Sequence, residues 1–208
     1  MNVVFDLGGV VFTWNPDWII DGVFGDEQSR QIVKEKIFHH SDWAALDRGT
    51  LARKEAIERA VSRTGLSKPE ISALMQRIPQ ALVPIPETLD IIRRLKQNPA
   101  HKLFVLSNMH VASIDHIDQT YPIWDDLFDG MVISCRIHMA KPELRIYQYL
   151  LETLGLNAAD TIFIDDTQKN LEPASQLGMH TILFETSQQC ERELIRRGYL
   201  IGSLAISS

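Results

Sequence analysis

The stretch Asn2-Val-Val-Phe-Asp-Leu-Gly-Gly-Val-Val11 decides how the rest of the chain is read. Val3, Val4 and Phe5 are β-branched or aromatic and uninterrupted. That is the pattern of a short strand buried on both faces, as in a parallel sheet. The apolar run stops at a charge, Asp6. In open α/β sheets ligands gather at the carboxyl ends of the strands, so Asp6 falls where chemistry is done. Gly8 and Gly9 follow and allow a tight turn and a close approach of backbone to ligand. A strand that merely ends in a turn-favouring Asp is the plainer reading of one short motif, and the remaining sequence arbitrates.

After Val11 the pattern changes. Trp14, Asn15 and Pro16 mark a turn, and residues 17 to about 84 read as helical throughout. Asp26 caps a helix expected over 27–39, and Ser41-Asp42 opens a turn. Arg48-Gly49 closes a short turn, and Thr50 precedes a charged amphipathic helix that Gly65 ends. Ser67 and Pro69 start a helix over about 69–77. Pro79, Pro84 and Pro86 lead the chain back. None of this resembles a parallel strand, so it reads as an all-helical insertion, a cap, after strand one.

From Pro86 onward, helices and strands alternate. Helices are expected over 87–97, after Asn108 to about Asp118, and over 143–154 and 168–177. Strands are expected over 102–106, 131–134, 161–164 and 180–184. Such alternation implies parallel β-α-β units. With right-handed crossovers all strand ends lie on one edge. Asp6, Ser107-Asn108 and Asp165-Asp166 end strands, and Lys141 precedes Pro142 in a loop leading to a helix. Three carboxylates, a hydroxyl, an amide and an ammonium therefore converge on one crevice.

Composition bounds the answer without naming it. The chain has 208 residues, 45% hydrophobic and 23% charged, an ordinary balance with room for a core and a small second unit. A net charge of −6 and no dense Lys/Arg run argue against nucleic-acid binding. Cys135 and Cys190 stand in no metal-like spacing and suggest a reducing compartment. Neither a signal peptide nor a membrane span is visible. A cytoplasmic protein is expected, with no membrane partner.

The converging groups have a chemical meaning. Asp6, Asp165 and Asp166 cannot all be ionised close together without a cation. Carboxylates with waters and a phosphate are what Mg²⁺ prefers. A carboxylate can also attack phosphorus to form an aspartyl-phosphate. Ser107 can donate to a phosphoryl oxygen, and Lys141 supplies positive charge to the transition state.

Asp6-Leu-Gly-Gly-Val, Leu106-Ser-Asn, Lys141-Pro-Glu and Phe163-Ile-Asp-Asp-Thr-Gln-Lys-Asn resemble, in order, the four motifs of the haloacid dehalogenase (HAD) superfamily. Lys-Pro-Glu-X-Arg-Ile-Tyr at 141–147, the Asp pair and Gln176-Leu-Gly-Met resemble its sugar-phosphatase branch, near α-D-glucose-1-phosphatase. The cap matches only in helical character and in Arg48-Gly and Glu55-Ala. The resemblance implies an α/β fold: a Rossmann-like parallel sheet of strand order 5-4-1-2-3. Residues 1–14 and 85–208 would form the catalytic core and 15–84 the helical cap. It implies Asp6 as nucleophile and Mg²⁺ ligand, with the Gly8 carbonyl and Asp166 as further ligands and Asp165 ligating directly or through water. Ser107 and Asn108 would hold the phosphate, Lys141 would bridge nucleophile and phosphate, and Asn170 would order the metal loop. The expected activity is Mg²⁺-dependent hydrolysis of small phosphorylated metabolites, sugar phosphates among them.

One departure matters. Many family phosphatases carry a second Asp two residues after the nucleophile as general acid and base; here that residue is Gly8. Family dehalogenases also lack it, so carbon–halogen hydrolysis is an alternative, as is a non-catalytic phosphate-binding protein. Other residues have plainer readings. His39 and His40 read as solvated or packed, and His110 and His116 as surface residues. Trp14, Trp18, Trp43 and Trp124 read as packing residues, Trp14 being the one close to the nucleophile turn. The charged run over 53–63 reads as a solvated helix face.

Overall fold

Val3 and Phe5 point to one face of a sheet and Val4 to the other, and all three are wholly buried. They belong to β1 (Asn2–Phe5), the central strand of five. In the computed structural model, which describes residues 1–121 and 124–201 and only the backbone of Trp124 and Asp125, the other strands are β2 (Lys102–Ser107), β3 (Gly130–Ile133), β4 (Thr161–Asp165) and β5 (His180–Leu183). All pair in parallel, in the order β3-β2-β1-β4-β5. Read from the other edge, this is the expected 5-4-1-2-3. Phe5 pairs with Val105 and with Ile164, so Asp6 lies level with Leu106 and Asp165 at the carboxyl edge.

Two apolar layers sandwich the sheet. One joins Val3, Phe5, Val105 and Ile164 to α6 (Pro86–Lys96) and α12 (Ser187–Arg196). The other joins Val4, Leu106 and Phe163 to α10 (Leu144–Leu154) and α11 (Gln168–Gln176). Short helices α7 (Val111–Thr120), α8 (Trp124–Leu127) and α9 (Ser134–Ile137) complete the crossovers. Among the described residues, no helix is long and apolar enough to cross a membrane. Cys135 and Cys190 are both free thiols.

Between β1 and α6 run α1 (Pro16–Asp21), α2 (Glu27–Val33), α3 (Ser41–Asp47), α4 (Arg53–Thr64) and α5 (Lys68–Gln80). They gather a core of their own around Ile19, Phe24, Ile71, Leu74 and Ile78. Two connections lie side by side: Thr13 N–H donates to the Val83 carbonyl and Ile85 N–H to the Val11 carbonyl, each at 2.8 Å. Trp14 packs against both this core and the sheet's.

Several local expectations need correction. The helix from Glu27 changes to a π turn over Lys34–Phe38. Ser41-Asp42 begins α3 rather than a turn, because the His40 Nδ1 accepts from Asp42 N–H at 3.1 Å and caps it. α5 runs on through Pro79 to Gln80, although Pro79 has no N–H to donate to the Met75 carbonyl one turn back. α12 is a helix that no expectation covered. Trp18 is half exposed rather than packed, with the Arg77 guanidinium 3.9 Å above its ring. The Trp124 side chain lies outside the described residues.

Candidate active site

The strand ends bring the expected residues together. Asp6 is buried, and its Oδ1 accepts from Leu7 N–H at 2.7 Å. The Lys141 ammonium, also buried, stands 2.9 Å from Asp6 and 2.6 Å from Asp165. Burial alone would lower the lysine's pKa, but the two carboxylates outweigh it and the net shift is upward. Asp6 moves the other way from an ordinary carboxylate. Burial pushes it up to about 7, Lys141 pulls back and Asp165 adds to the rise. Burial, then Asp165, also raises Asp166.

The second carboxylate pair is divided in its work. Asp165 is wholly enclosed, and its oxygens accept from Thr167 N–H at 2.8 Å, from Asn170 Nδ2 at 3.0 and 3.2 Å, and from Lys141. Asn170 is held in turn by the Tyr147 hydroxyl, which donates to its carbonyl at 2.6 Å. Asp166 is more open, with Oδ1 accepting from the Thr167 hydroxyl at 3.2 Å. Its Oδ2 lies against Gly9, whose φ is +79° and whose Cβ, if present, would sit 2.2 Å from that oxygen. Only glycine fits there. Oxygens of Asp6, Asp165 and Asp166 all lie within 4.8 Å of one another. One ammonium cannot balance three such carboxylates.

Ser107 is wholly buried, and among the described residues its Oγ has no partner in good hydrogen-bond geometry, though it lies near enough to Asp6 to favour that group's charged form. A buried hydroxyl beside a carboxylate, with no partner of its own, is a donor in want of an acceptor. Asn108 is engaged with the Lys141 backbone. Its amide Nδ2 donates to the Lys141 carbonyl at 2.9 Å, and its Oδ1 accepts from Lys141 N–H at 2.8 Å. It therefore fixes the backbone of the lysine loop. At Gly8 an added Cβ would meet nothing nearer than Trp14 Cβ at 3.9 Å.

A cavity of about 300 Å³ opens over these groups. The sheet side contributes Asp6, Gly8, Lys141 and Asp166, and the helical insertion contributes Trp43, Asp47 and Ile78. Trp14, Leu82 and Met109 add further apolar surface. Trp43 stacks with Phe38 at 4.6 Å between ring centroids and meets His110 edge-on at 5.8 Å. His110, expected at the surface, is buried. Burial, with Arg53 nearby, pushes its pKa down to about 4, and its Nε2 lies 3.1 Å from the Ser113 hydroxyl. It lies in the loop after β2, but α3 covers that loop.

Asp47 is the residue that sequence reasoning missed. It ends α3, half-buried, with burial and then Asp6 pushing its carboxyl up to about 7. The Ser134 hydroxyl donates a short hydrogen bond to its carbonyl. Next to it, Arg48 pairs with Glu143, and the Arg48 carbonyl is 3.1 Å from His138 Nδ1. Gly49 has φ +73°, and a Cβ there would lie 2.5 Å from the Cys135 carbonyl oxygen. The Arg48-Gly49 pair was legible as a turn; that it docks on α9 was not. Gly49→Ala should cost more than the about 1–2 kcal/mol that a left-handed L-residue alone costs. Urea unfolding measures this, and an unchanged midpoint would mean that the close approach does not hold this loop.

The comparisons agree with this architecture. The family model of haloacid dehalogenase-like hydrolases matches residues 2–178. The sesquiterpene phosphatase astK of Aspergillus oryzae is 30% identical over 176 residues, 85% of this chain and 85% of that protein. Bifunctional epoxide hydrolase 2 of Mus musculus is 28% identical over 82% of this chain, which spans 30% of that longer protein. Among solved structures, a point mutant of the HAD family enzyme BT-2542 of Bacteroides thetaiotaomicron, in complex with magnesium and inorganic phosphate, superposes with a TM-score of 0.73 at 24% identity, covering 88% of this chain and 93% of that one. The chain belongs to the haloacid dehalogenase-like hydrolases. It is a hydrolase with the family's parallel sheet, similar in sequence to a phosphatase.

Proposed function

We propose that this hydrolase is a Mg²⁺-dependent phosphatase of small phosphorylated metabolites that works through an aspartyl-phosphate on Asp6. The observation that carries this reading is the cluster itself: three carboxylates around one ammonium, beside the unpartnered Ser107 hydroxyl. The surplus negative charge suits a divalent cation, and hard oxygen donors suit Mg²⁺. Asp6, Asp166 and the Gly8 carbonyl would hold it. Asp165, with both oxygens already engaged, would ligate through water. When bound, Mg²⁺ offsets charge on the phosphoryl oxygens. Asp6 attacks phosphorus, the Ser107 hydroxyl donates to a phosphoryl oxygen, and Lys141 stabilises the charge that develops. Asn108 holds the Lys141 loop, while Asn170 and Thr167 hold Asp165.

The resemblance of residues 141–147, the Asp165-Asp166 pair and Gln176-Leu-Gly-Met to the sugar-phosphatase branch favours a sugar phosphate as substrate, whereas the apolar side chains in the lining also suit a less polar alcohol. Trp14, Trp43, Ile78, Leu82 and Met109 offer apolar contacts to whatever the phosphate carries, alongside polar lining from Asp47, His110, Ser113 and Lys169. The relative named for sesquiterpene phosphate hydrolysis fits that second reading. Phosphate release from hexose, aryl and short prenyl monophosphates, each with Mg²⁺ and with chelator, separates them. A higher kcat/KM for the apolar esters is expected. Preference for hexose phosphates would restore the sugar reading. Halide release from a 2-haloacid in chelator, with no phosphate release from any ester, would overturn the phosphatase in favour of a dehalogenase.

A further inference from the structure

Gly8 leaves this phosphatase without a proton donor at the position where many relatives carry one. Position 8 has open space beside it, so crowding does not explain the glycine. From the other side of the same cavity comes Asp47, at the end of α3. Among the described lining residues, it is the one carboxyl group outside the Asp6, Asp165 and Asp166 cluster.

We propose that Asp47 is the general acid and base of the reaction, reaching the leaving-group oxygen from the helical side of the cavity in place of the side chain that Gly8 lacks. The assignment rests on the phosphatase reading above. Its geometry is well supported, because the segment carrying Asp47 is tied to the sheet-bearing part of the chain at four points. Ser134 binds the Asp47 carbonyl, and Ser134 Oγ also accepts from Met109 N–H at 2.9 Å, so one hydroxyl joins α3, α9 and the loop after β2. His138 and Glu143 hold Arg48, and Gly49 rests on the Cys135 backbone. Such a clamp fixes the backbone from which the carboxyl enters the cavity, a condition for positioned proton transfer. Other donors in the cavity are less suited. His110 is neutral and close to Ser113, and Lys169 is exposed.

The chemistry balances in two steps. An Asp6 oxygen attacks phosphorus, the bond from phosphorus to the leaving oxygen breaks, and that oxygen keeps the electron pair and takes the Asp47 proton. The products are the free alcohol, a phosphorylated Asp6 and an ionised Asp47. Water then attacks phosphorus, Asp47 accepts its proton, and the pair from the broken phosphorus–oxygen bond returns to Asp6. Inorganic phosphate leaves and Asp47 is again protonated.

The test follows single-turnover alcohol release from phosphate monoesters ranging from 4-nitrophenyl to simple alkyl. Wild type should vary little across the series. Asp47→Asn should lose about 10²–10⁴-fold on alkyl esters, the range a general acid typically supplies, and little on 4-nitrophenyl phosphate, whose leaving group needs no proton. Gly8→Asp added to Asp47→Asn should restore much of the alkyl rate. An even loss across the series would overturn the assignment, and so would a steep wild-type series, which decides alone should Asp47→Asn fail to fold in a thermal melt. A wild type that hydrolyses no monoester removes the phosphatase reading and this assignment with it, whereas an active wild type with an even loss removes Asp47 alone.

Discussion

Replacing Asp6 by Asn should abolish phosphate release, by roughly 10⁴–10⁶-fold as for other nucleophile deletions, while leaving the chain folded. The amide cannot attack phosphorus. It is, however, nearly the same shape as the carboxyl group, and the wild-type group is not held by its charge. Its pKa stands near 7 because burial outweighs Lys141. A neutral side chain there removes a repulsion with Asp165, and Lys141 keeps its 2.6 Å contact with that residue. Metal-free Asp6→Asn should therefore melt no lower than wild type at pH 8. Residual turnover near the wild-type level would remove the covalent route through Asp6. A sharply lower melting temperature would show instead that the carboxylate is part of the fold's support.

Most of the sheet was legible because its strands are continuous apolar runs, and such runs are what a strand buried on both faces requires. The polar residues that end them then fall on one edge by topology alone. That is why Asp6, Ser107 and Asp165 could be placed together before any coordinates. Lys141 joins them from the loop that leads into α10, on the same edge of the sheet. Boundaries were less legible where two structures share nearly one period. The π turn after Val33 differs from an α-helix by one residue per hydrogen bond, too little for a pattern of apolar positions to show. Helix α12 was missed although it buries Cys190 and Leu194. Most of its residues are charged or polar, and its apolar face packs on α6, a contact no local pattern announces.

What the sequence hid was the contribution of the helical insertion to the site. Asp47 and Trp43 reach the cavity because α3 docks on α9, and docking depends on Gly49 meeting the Cys135 backbone and on Ser134 reaching the Asp47 carbonyl. None of these is a periodic signal. His110 was misplaced for a related reason. It lies in a loop, where exposure is the ordinary outcome, but Trp43 covers it from α3. Asn108 lay where expected, and its amide also braces the Lys141 backbone, a contact the sequence did not announce.

Mg²⁺ should stabilise the protein more as pH rises, and the metal-free protein should lose stability over the same range. Asp6 and Asp47 each stand near pKa 7, above the about 3.9 of an unfolded Asp. Between those values the folded state binds protons that the unfolded state has released. By linkage, stability then falls as pH rises and is lost through about pH 7. Asp166, also raised, acts in the same direction. Carboxylates with lowered pKa, such as Asp42 beside Arg63 and Arg59, act only in acid, where their stabilisation is lost as pH falls through their pKa. His110, held near 4 against about 6.5 when unfolded, acts the other way between those values and offsets part of this loss with or without Mg²⁺, so it is the difference between the two conditions that reports the cavity carboxylates. A divalent cation binds their ionised forms and competes with protons, so it should recover at pH 8 what the metal-free protein loses. At 100 times its Kd, a ligand adds about 2.7 kcal/mol. Melting temperatures at pH 5, 6, 7 and 8, in chelator and in millimolar Mg²⁺, should diverge as pH rises. Asp166→Ala should remove most of the divergence, because it deletes the carboxylate with a free oxygen over Gly9 while leaving Asp165 and its donors in place. Parallel curves with and without Mg²⁺ would mean that these three carboxylates do not bind the cation, and the metal-dependent reading of the site would fall with them.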